Sequence, residues 1–340
     1  MDAMDKIQKN KLNEIMNTIP ESIGLFICYQ QGEALFFKIT ENLRRFIDFY
    51  LLADTEDDRL LALRHRYEWV EFTTSPDLFS CLVEEKLFYR QNHPIFNKSL
   101  REWENYSYLS MQWQEVPYLN TSADTLQKHI YIGPFRDPFF IRDVIDTFSD
   151  IYQLPACADE IFPCPKMNVQ QCAGFCLFDD NSDLRTILIN YIMTPNLAVL
   201  KDLKKKIAQL ENELNFNASE TMQTQHKLIS SYYRQLLFLY TTRHIEEETE
   251  INGIRIKIKN GLIHKIISLD NEEFTLNKED LPGENELLAH NKDELDERWI
   301  IFRMLEKNKP QYIKELYQHH FHLIANRIIT DADQKQTEEI

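Results

Sequence analysis

The order of apolar and polar residues in the first hundred positions predicts a small antiparallel sheet with helices packed on it. Two apolar runs flank Gln30-Gln31-Gly32, which predicts a β-hairpin, and a third strand follows later. The predicted strands are 23–29, 33–39 and Trp69–Thr74. The predicted helices are Glu41–Leu52, 57–67 and a helix with Ser75 as N-cap and Pro76 in its first turn, which ends near Gln91.

Leucine and isoleucine then recur at alternating spacings of three and four, which is typical of a coiled-coil seam. The seam positions are Leu200, Leu203, Ile207, Leu210 and Leu214. Asn217 followed by Glu220 predicts a capping box for a second helix, whose apolar stripe continues to Leu239. Together these patterns predict an antiparallel helical hairpin within residues 185–245.

Period-two alternation returns over residues 251–276, where isoleucines alternate with arginine and lysine. Asn260-Gly261 is a strong signal for a hairpin turn. Helical patterns follow at 292–307 and 311–327, separated by Pro310. The C-terminal part is therefore predicted to be a small α+β region over 250–330 with a polar tail at 331–340, and the chain as a whole is predicted to be α+β.

Composition and charge narrow the class of protein. Hydrophobic residues make up 43% of the 340 positions, which suits a globular chain of two or three domains. The formal net charge of −16 argues against a generic nucleic-acid coating protein, although an acidic body can carry a local basic groove. No apolar run is long enough to span a membrane, and the charged start lacks a signal-peptide core. We expect a cytoplasmic protein without a membrane partner.

Cysteines fall into two groups with different predicted roles. Cys28 and Cys81 are isolated in apolar stretches and are expected to be buried packing residues. The other four crowd into twenty positions: Cys157, Cys164, Cys172 and Cys176. In a reducing compartment such a crowd indicates metal binding more than disulfides, and Gly174 lets the chain turn sharply there. The thiolates suit an iron–sulfur cluster or zinc, and the loose spacing favours the larger cluster.

This cysteine region resembles that of the excinuclease C family, the C components of excinuclease ABC. Tyr131–Phe135 reads Tyr-Ile-Gly-Pro-Phe, similar to a Tyr-Phe-Gly-Pro-Tyr-like motif that precedes the family's cysteines. The last three cysteines have the family's spacing, with seven and then three residues between them, whereas the first gap is shorter. The resemblance implies a 4Fe–4S cluster held by the four cysteines, with zinc as the alternative.

The first hundred residues resemble the GIY-YIG nuclease domain of the same family in the spacing of its motifs, but several residues of those motifs are replaced. Ile23–Phe26 and Gly32–Tyr50 follow the domain's two motifs. Family side chains are replaced at four positions: Phe26 and Phe36 stand for the signature tyrosines, Lys38 for a glycine and Phe46 for the catalytic arginine. Phenylalanine cannot exchange a proton or orient water, so these positions favour core packing over catalysis.

Other family positions keep residues with suitable chemistry. The resemblance implies a metal-binding carboxylate at Glu84 or Glu85, an active-site asparagine at Asn97 and an active-site tyrosine at Tyr50. Arg44 or Arg45 could replace the missing cation. Cleavage of a phosphodiester with one Mg²⁺ needs a carboxylate for the ion, a base and a cation on the developing charge. An ordinary solvated helix carboxylate is an equal interpretation of Glu84.

The remaining matches complete the predicted domain order. The hairpin resembles the UVR motif through Glu213–Phe216, although its usual Arg-Asp pair is missing, and residues 200–240 are the expected repair-protein contact. His319, His320 and His322 lie near Glu315 on a predicted helix. We expect these histidines to be surface or interface residues rather than a metal site. The expected domains are 1–19 (N-terminal helix or extension), 20–100 (nuclease-like), 101–150 (connecting), 151–180 (cysteine module), 185–245, 250–330 and 331–340.

Three functions are compatible with a Cho-like member of this family. The first is a DNA-repair or DNA-processing protein that cleaves DNA strands with Mg²⁺. The second is a catalytically inactive scaffold that binds DNA or repair proteins. The third is a regulator whose iron–sulfur cluster senses redox state. The lost tyrosines and the acidic charge favour the second.

Overall fold

The computed structural model describes residues 5–112, 117–127, 129–155, 172–177, 182–268, 270, 272–276 and 288–319. It has three small antiparallel sheets and many helices, which confirms the predicted α+β class. The chain divides into two compact units, residues 1–102 and residues 103–340. Among the described residues, no helix combines the length and apolarity needed to cross a bilayer.

The N-terminal unit contains a four-stranded sheet rather than the predicted three-stranded one. Its strands are β1 Asp5–Gln8, β2 Gly24–Gln30, β3 Glu33–Thr40 and β4 Trp69–Thr74. They are hydrogen-bonded in the order β1-β4-β2-β3. The added strand β1 pairs with β4, Ile7 opposite Val70, in a segment that was predicted to be a helix or extension. A four-residue strand is too short for its alternation to be recognised in sequence.

The helices of this unit begin close to the predicted positions, but the N-cap of the last helix differs from the predicted one. They are α1 Lys9–Ile15, α2 Leu43–Leu51, α3 Asp58–Arg66 and α4 Leu78–Gln91. The prediction of Ser75 as N-cap of α4 was wrong, because Asp77 holds that position and accepts a hydrogen bond from the Ser80 amide at 2.8 Å. The Ser75 amide is instead bonded to the Ile23 carbonyl, which keeps Ser75 in the sheet region.

Alternation along β2 and β3 divides the apolar residues between the two faces of the sheet. One face carries Phe26 and Phe36 and packs in a single core with residues of α1, α2 and α3. The other face carries Leu25, Ile27 and Phe37 and packs against Phe88 of α4. The sheet is therefore the middle of three layers, and side chains on α2 and α4 lie on opposite sides of it.

The two isolated cysteines are buried, as predicted. Cys28 on β2 and Cys81 on α4 are both fully inaccessible. Burial raises the pKa of the Cys28 thiol, and it raises the pKa of Cys81 to about 11. Both thiols are therefore protonated packing groups rather than reactive thiolates.

The C-terminal unit begins with a second sheet, where the sequence had predicted only a connecting mixed region. Its strands are β5 Ser107–Gln112, β6 Tyr118–Ser122 and β7 Ile130–Phe135, in the order β6-β5-β7. Helix α5, Pro138–Tyr152, follows β7 directly. Asp137 caps it by accepting a hydrogen bond from the Phe139 amide at 2.9 Å, and Pro138 occupies its first turn.

The predicted helical hairpin is confirmed. A short helix α6, Ser182–Ile187, continues as a π-helical turn Leu188–Met193, and the hairpin is α7 Leu197–Asn212 and α8 Phe216–Thr242. The predicted capping box at Asn217 was wrong, because Asn215 caps α8. Leu214 adopts a left-handed conformation with φ 57° and ends the seam in solvent, where it is 73% exposed.

Three tyrosines of α8 fix the π-helical turn. The hydroxyls of Tyr232, Tyr233 and Tyr240 donate hydrogen bonds of 2.8–2.9 Å to the carbonyls of Ile192, Tyr191 and Met193. Residues 191–193 are the last of the π-helical turn, where helix carbonyls have no intrahelical donor, and these hydroxyls supply one to each. Burial raises the pKa of Tyr232 well above its usual value, so its proton stays available for this bond.

A third sheet completes the described part of the unit. Its strands are β8 Glu247–Ile251, β9 Ile254–Lys259, β10 Leu262–Ile267 and β11 Glu273–Thr275, in the order β11-β10-β9-β8. The predicted turn at Asn260-Gly261 is confirmed, with φ of 55° and 72°. Helix α9, Leu295–Asn308, matches the first C-terminal helix, and Pro310 begins helix α10 (310–319). The remainder of the predicted second helix lies outside the described residues.

Residues 288–290 connect the last helices to the second sheet. The Gly133 amide donates to the Leu288 carbonyl at 3.0 Å, and the His290 amide donates to the Gly133 carbonyl at 2.9 Å. The imidazole of His290 is buried and its Nε2 lies 3.1 Å from the Leu239 carbonyl of α8. Burial lowers the pKa of His290 well below its usual value, so the ring is neutral and Nε2 donates this bond.

We expect Gly24→Ala to destabilise the N-terminal unit more than Gly32→Ala. A Cβ on Gly24 would lie 2.2 Å from the Thr73 carbonyl oxygen and 2.7 Å from a methyl carbon of Leu43, so strands must separate at a cost of about 3 kcal/mol. A Cβ on Gly32 meets nothing within 4 Å, and only its φ of 86° opposes alanine, at a cost of about 1 kcal/mol. Urea unfolding followed by circular dichroism measures both. Equal losses of stability would contradict the close approach at Gly24.

Candidate functional site

Five aromatic rings pack together where β2, β3 and α2 meet. We call them the Tyr50 cluster: Phe26, Phe36, Phe46, Phe49 and Tyr50. Ring centroids of the four phenylalanines lie 4.9–6.4 Å from that of Tyr50, and the Phe36 ring is the nearest. Phe26 and Phe36 are 0% and 1% exposed, whereas Phe49 at the rim is 54% exposed. The favoured interpretation of Phe26 and Phe36 as core residues is confirmed.

A carboxylate that sequence reasoning missed closes this cluster. Glu102 accepts a short hydrogen bond from the Tyr50 hydroxyl, and its other oxygen lies 2.8 Å from the ammonium of Lys38. The Lys38 ammonium also lies 5.9 Å from the centroid of the Tyr50 ring. Glu102 is separated from Tyr50 by fifty-two positions, and no local pattern marks it. Its nearness to Lys38 and Tyr50 depends on the fold.

The two arginines next to the missing catalytic position occupy different environments. The guanidinium of Arg44 donates to the carbonyls of Ile19 at 2.8 Å and Asn17 at 3.0 Å, and pairs with Glu21 at 2.5 Å. It therefore fixes the segment before β2. Arg45 is exposed, and within the described residues its guanidinium makes no hydrogen bond or ion pair. Of the two, Arg45 is the cation that a phosphate in solution could reach.

Asn97 is used by the backbone of the sheet. Its side-chain oxygen accepts from the Phe37 amide at 2.8 Å, and its side-chain nitrogen donates to the Phe37 carbonyl at 2.6 Å. Because β3 is an edge strand, these bonds satisfy groups that a neighbouring strand would otherwise satisfy. Asn97 thus anchors the 3-10 turn Ile95–Lys98 to the sheet. Its role in an active site stays a prediction.

Glu84 and Glu85 lie on α4, away from the layer of the Tyr50 cluster. Helix α4 packs through Phe88 against the face of Phe37, at a ring distance of 4.8 Å, whereas Phe36 points to the opposite face. Both carboxylates are half-buried. Glu85 contributes to raising the pKa of Tyr89, after burial of that ring. Metal binding by Glu84 or Glu85 stays a prediction.

The structure describes only residues 172–177 of the region that carries the four clustered cysteines. Cys172 is 8% exposed, is not in a disulfide, and its sulfur accepts a hydrogen bond from the Gly174 amide at 3.4 Å. Gly174 has a φ of 76°, the sharp turn that its position predicted. A buried sulfur that accepts a backbone N–H suits a metal-bound thiolate. Cys157 and Cys164 lie outside the described residues, and only the backbone of Cys176 is described.

The motif Tyr131–Phe135 borders a cavity that the sequence did not indicate. The cavity has a volume of about 240 Å³ and lies between β7, α5, α8 and α9. Its aromatic walls are Phe135, Phe140, Phe238 and Trp299, and its polar lining residues are Arg136, Asp137 and Gln235. Arg136 pairs with Asp296 at 2.6 Å. A cis peptide bond joins Gly133 and Pro134 at one edge.

The C-terminal histidines are described only at their start. Glu315 accepts a hydrogen bond from Gln311 at 2.9 Å, and His319 is the last described residue. His320 and His322 lie outside the described residues. Within the described ranges, no group of three or more His, Cys, Asp or Glu side chains is arranged to hold a metal ion.

Comparison with known proteins finds distant similarity to UvrABC system protein C of several organisms. No protein-family model matches it. It is 22% identical over 274 residues to UvrABC system protein C of Finegoldia magna, covering 77% of this chain and 42% of that protein. The same protein from Methanococcus maripaludis is 20% identical over 256 residues, covering 74% and 48%. That from Vibrio cholerae is 21% identical over 232 residues, covering 65% and 38%.

The chain is therefore distantly similar to UvrABC system protein C over much of its length. It spans less than half the length of these curated relatives. The predicted resemblance to this family agrees with the comparison at that level.

We expect Phe36→Tyr to destabilise the N-terminal unit and Phe49→Tyr to leave it nearly unchanged. The first substitution adds a hydroxyl inside the Tyr50 cluster, where an unpaired polar group costs about 1–3 kcal/mol. The second adds the same atom to a ring that is 54% exposed, where surface substitutions change stability by about 0.5 kcal/mol or less. Free energies of unfolding from urea titration measure both. If the two variants are equally stable, the cluster has room and a partner for the family's hydroxyl.

Proposed function

We propose that this chain is a DNA-repair-related protein that binds DNA, and that its nuclease-like unit is a scaffold that does not cleave it. The distant similarity to UvrABC system protein C supports the link to nucleotide excision repair. DNA and repair proteins are the partners that this similarity suggests. The catalytic form of the hypothesis, with Mg²⁺ held by Glu84 or Glu85, is the alternative.

The filling of the Tyr50 cluster is the observation that carries the inactive form of the proposal. A hydrolytic centre needs a base or water-orienting hydroxyl that reaches the scissile phosphate. Phe26 and Phe36 offer none, and the hydroxyl of Tyr50 is bonded to Glu102. The loss of one transition-state contact typically costs about two to three orders of magnitude in rate, so combined losses leave little activity.

We expect the purified chain to bind branched or damaged duplex DNA without cutting it. Fluorescence anisotropy with labelled DNA measures binding, and denaturing gels after incubation with Mg²⁺ or Mn²⁺ measure cleavage. Metal-dependent cleavage that disappears in Glu84→Gln or Glu85→Gln would overturn the scaffold role and favour the nuclease. The absence of any DNA binding at low salt would contradict the repair function itself.

The four cysteines are proposed to hold an iron–sulfur cluster, which would be a structural or redox-sensing group. Cys157, Cys164, Cys172 and Cys176 are its proposed ligands, with zinc as the alternative metal. The burial of Cys172 and its bond from the Gly174 amide support a thiolate ligand. When bound, a cluster of this type supplies one-electron redox chemistry.

We expect protein purified without oxygen to be brown, with a broad absorption near about 400 nm, and to contain iron and sulfide. Cys172→Ser should lose most of this absorption because it removes one thiolate ligand. Cys81→Ser removes a thiol that is also buried but is far from the four cysteines in sequence, and it should keep the absorption. A colourless protein with zinc would replace the cluster by a structural zinc site, and a folded protein without metal would contradict both.

The helical hairpin is the proposed contact for a repair protein. Its tip exposes two large apolar side chains, Leu214 at 73% and Phe216 at 63%. Exposed apolar residues of this size at the end of a rigid hairpin suit a protein contact. The resemblance of this hairpin to a UVR motif supports the same surface.

A further inference from the structure

Helix α7 carries a concentration of positive charge that its surroundings do not explain. The lysine cluster, which consists of Lys201, Lys204, Lys205 and Lys206, places four ammonium groups within six positions of a chain whose net charge is −16. All four side chains are exposed. On an acidic protein, unmatched lysines at one place create a local positive field that the net charge conceals.

Three of these lysines share one face of the helix. Lys201, Lys204 and Lys205 are related by spacings of three and four, so their side chains leave α7 on the same side. The inner side of α7 is fixed by the buried residues Val199 and Leu203, which pack in the hairpin with α8. The outer lysines are therefore presented by a helix that is held in place by its own core.

The charges of this face are weakly neutralised. Lys205 lies 3.4 Å from Asp202, but both side chains are more than 70% exposed, and such a pair contributes little. Within the described residues, Lys201 and Lys204 make no hydrogen bond or ion pair. Burial lowers the pKa of the His226 imidazole on α8, and the positive charge of Lys204 adds to this effect.

Among the described residues, an acidic group near the hairpin tip and three lysines outside the hairpin have bonding partners, unlike Lys201 and Lys204. Nearer the hairpin tip, Glu211 accepts hydrogen bonds from Ser219 at 3.3 Å and Gln223 at 3.0 Å. Three lysines beyond the hairpin are paired with glutamates: Lys257 with Glu248 at 2.6 Å, Lys265 with Glu273 at 2.5 Å and Lys309 with Glu247 at 2.9 Å. Lys201 and Lys204 differ from these three lysines because neither has a carboxylate partner within the described residues.

We propose that the face formed by Lys201, Lys204 and Lys205 binds the phosphate backbone of DNA. This inference rests on the proposed DNA-binding function and assigns it a surface in the hairpin rather than in the nuclease-like unit. Lysine ammonium groups on flexible stems neutralise phosphates without reading sequence, and they release counterions as they do so. The contact is thus expected to be independent of sequence and sensitive to salt.

The test compares two triple variants of the full chain that carry the same change of charge. The first is Lys201→Gln, Lys204→Gln and Lys205→Gln, and glutamine has nearly the helix propensity of lysine, so α7 is preserved. The control is Lys257→Gln, Lys265→Gln and Lys309→Gln, which removes three lysines from solvent-accessible ion pairs that contribute little to stability. Circular dichroism and urea unfolding establish that both variants are folded.

Anisotropy titrations of a fluorescein-labelled duplex between about 50 and 200 mM salt give the affinity and its salt dependence. For the α7 variant we expect Kd to rise about tenfold or more, and the slope of log Kd against log salt to fall by about two to three. The control variant should bind like the wild type. Equal weakening of both variants would mean that only net charge matters and would overturn the assigned surface.

Two further outcomes separate this inference from the proposed function. If the wild type binds DNA and the α7 variant binds equally well with the same salt slope, the lysine face is not the DNA surface, whereas the DNA-binding function stands. If the wild type itself does not bind the duplex at low salt, the proposed function fails and this inference fails with it. Binding of an acidic protein that is lost in the α7 variant, with DNA binding intact, would also overturn the assignment.

Discussion

The aromatic cores of this protein depend on how the hydroxyl groups of their tyrosines are satisfied. A buried tyrosine needs a hydrogen-bond partner for its hydroxyl, whereas a buried phenylalanine has no polar atom to satisfy. In the C-terminal unit, the hydroxyls of Tyr232 and Tyr240 donate to carbonyls of the π-helical turn, and this joins α8 to the chain before α7. In the N-terminal unit, the Tyr50 hydroxyl donates to Glu102. Because an unpaired hydroxyl in a core is costly, these few bonds decide how the aromatic core is arranged.

The same constraint applies to the aromatic core of the N-terminal unit. Phe26 and Phe36 fill their positions with no polar atom to satisfy, and Lys38 balances the carboxylate that receives the Tyr50 hydroxyl. An active centre would keep such polar groups open to water and substrate. Here they are bonded to one another, and this arrangement fits the proposed scaffold role.

Local patterns predicted most of the helices and strands because each depends on neighbours in sequence. The hairpin at Asn260-Gly261 and the helices of residues 200–240 were found in this way. The errors concern helix starts and short strands. Asp77 rather than Ser75, and Asn215 rather than Asn217, caps its helix, because the backbone path before the helix selects the cap among several polar residues. The strand β1 forms only because β4 offers an edge.

The sequence by itself determined the α+β class, the burial of Cys28 and Cys81, and the helical hairpin. These follow from residue type and periodicity, which act over short distances. Only the tertiary structure decided that Glu102 meets Lys38 and Tyr50, that α2 and α4 lie on opposite faces of one sheet, and that Asn97 completes an edge strand. Such contacts join residues far apart in sequence, and their partners are selected by packing and by the need to satisfy buried polar groups.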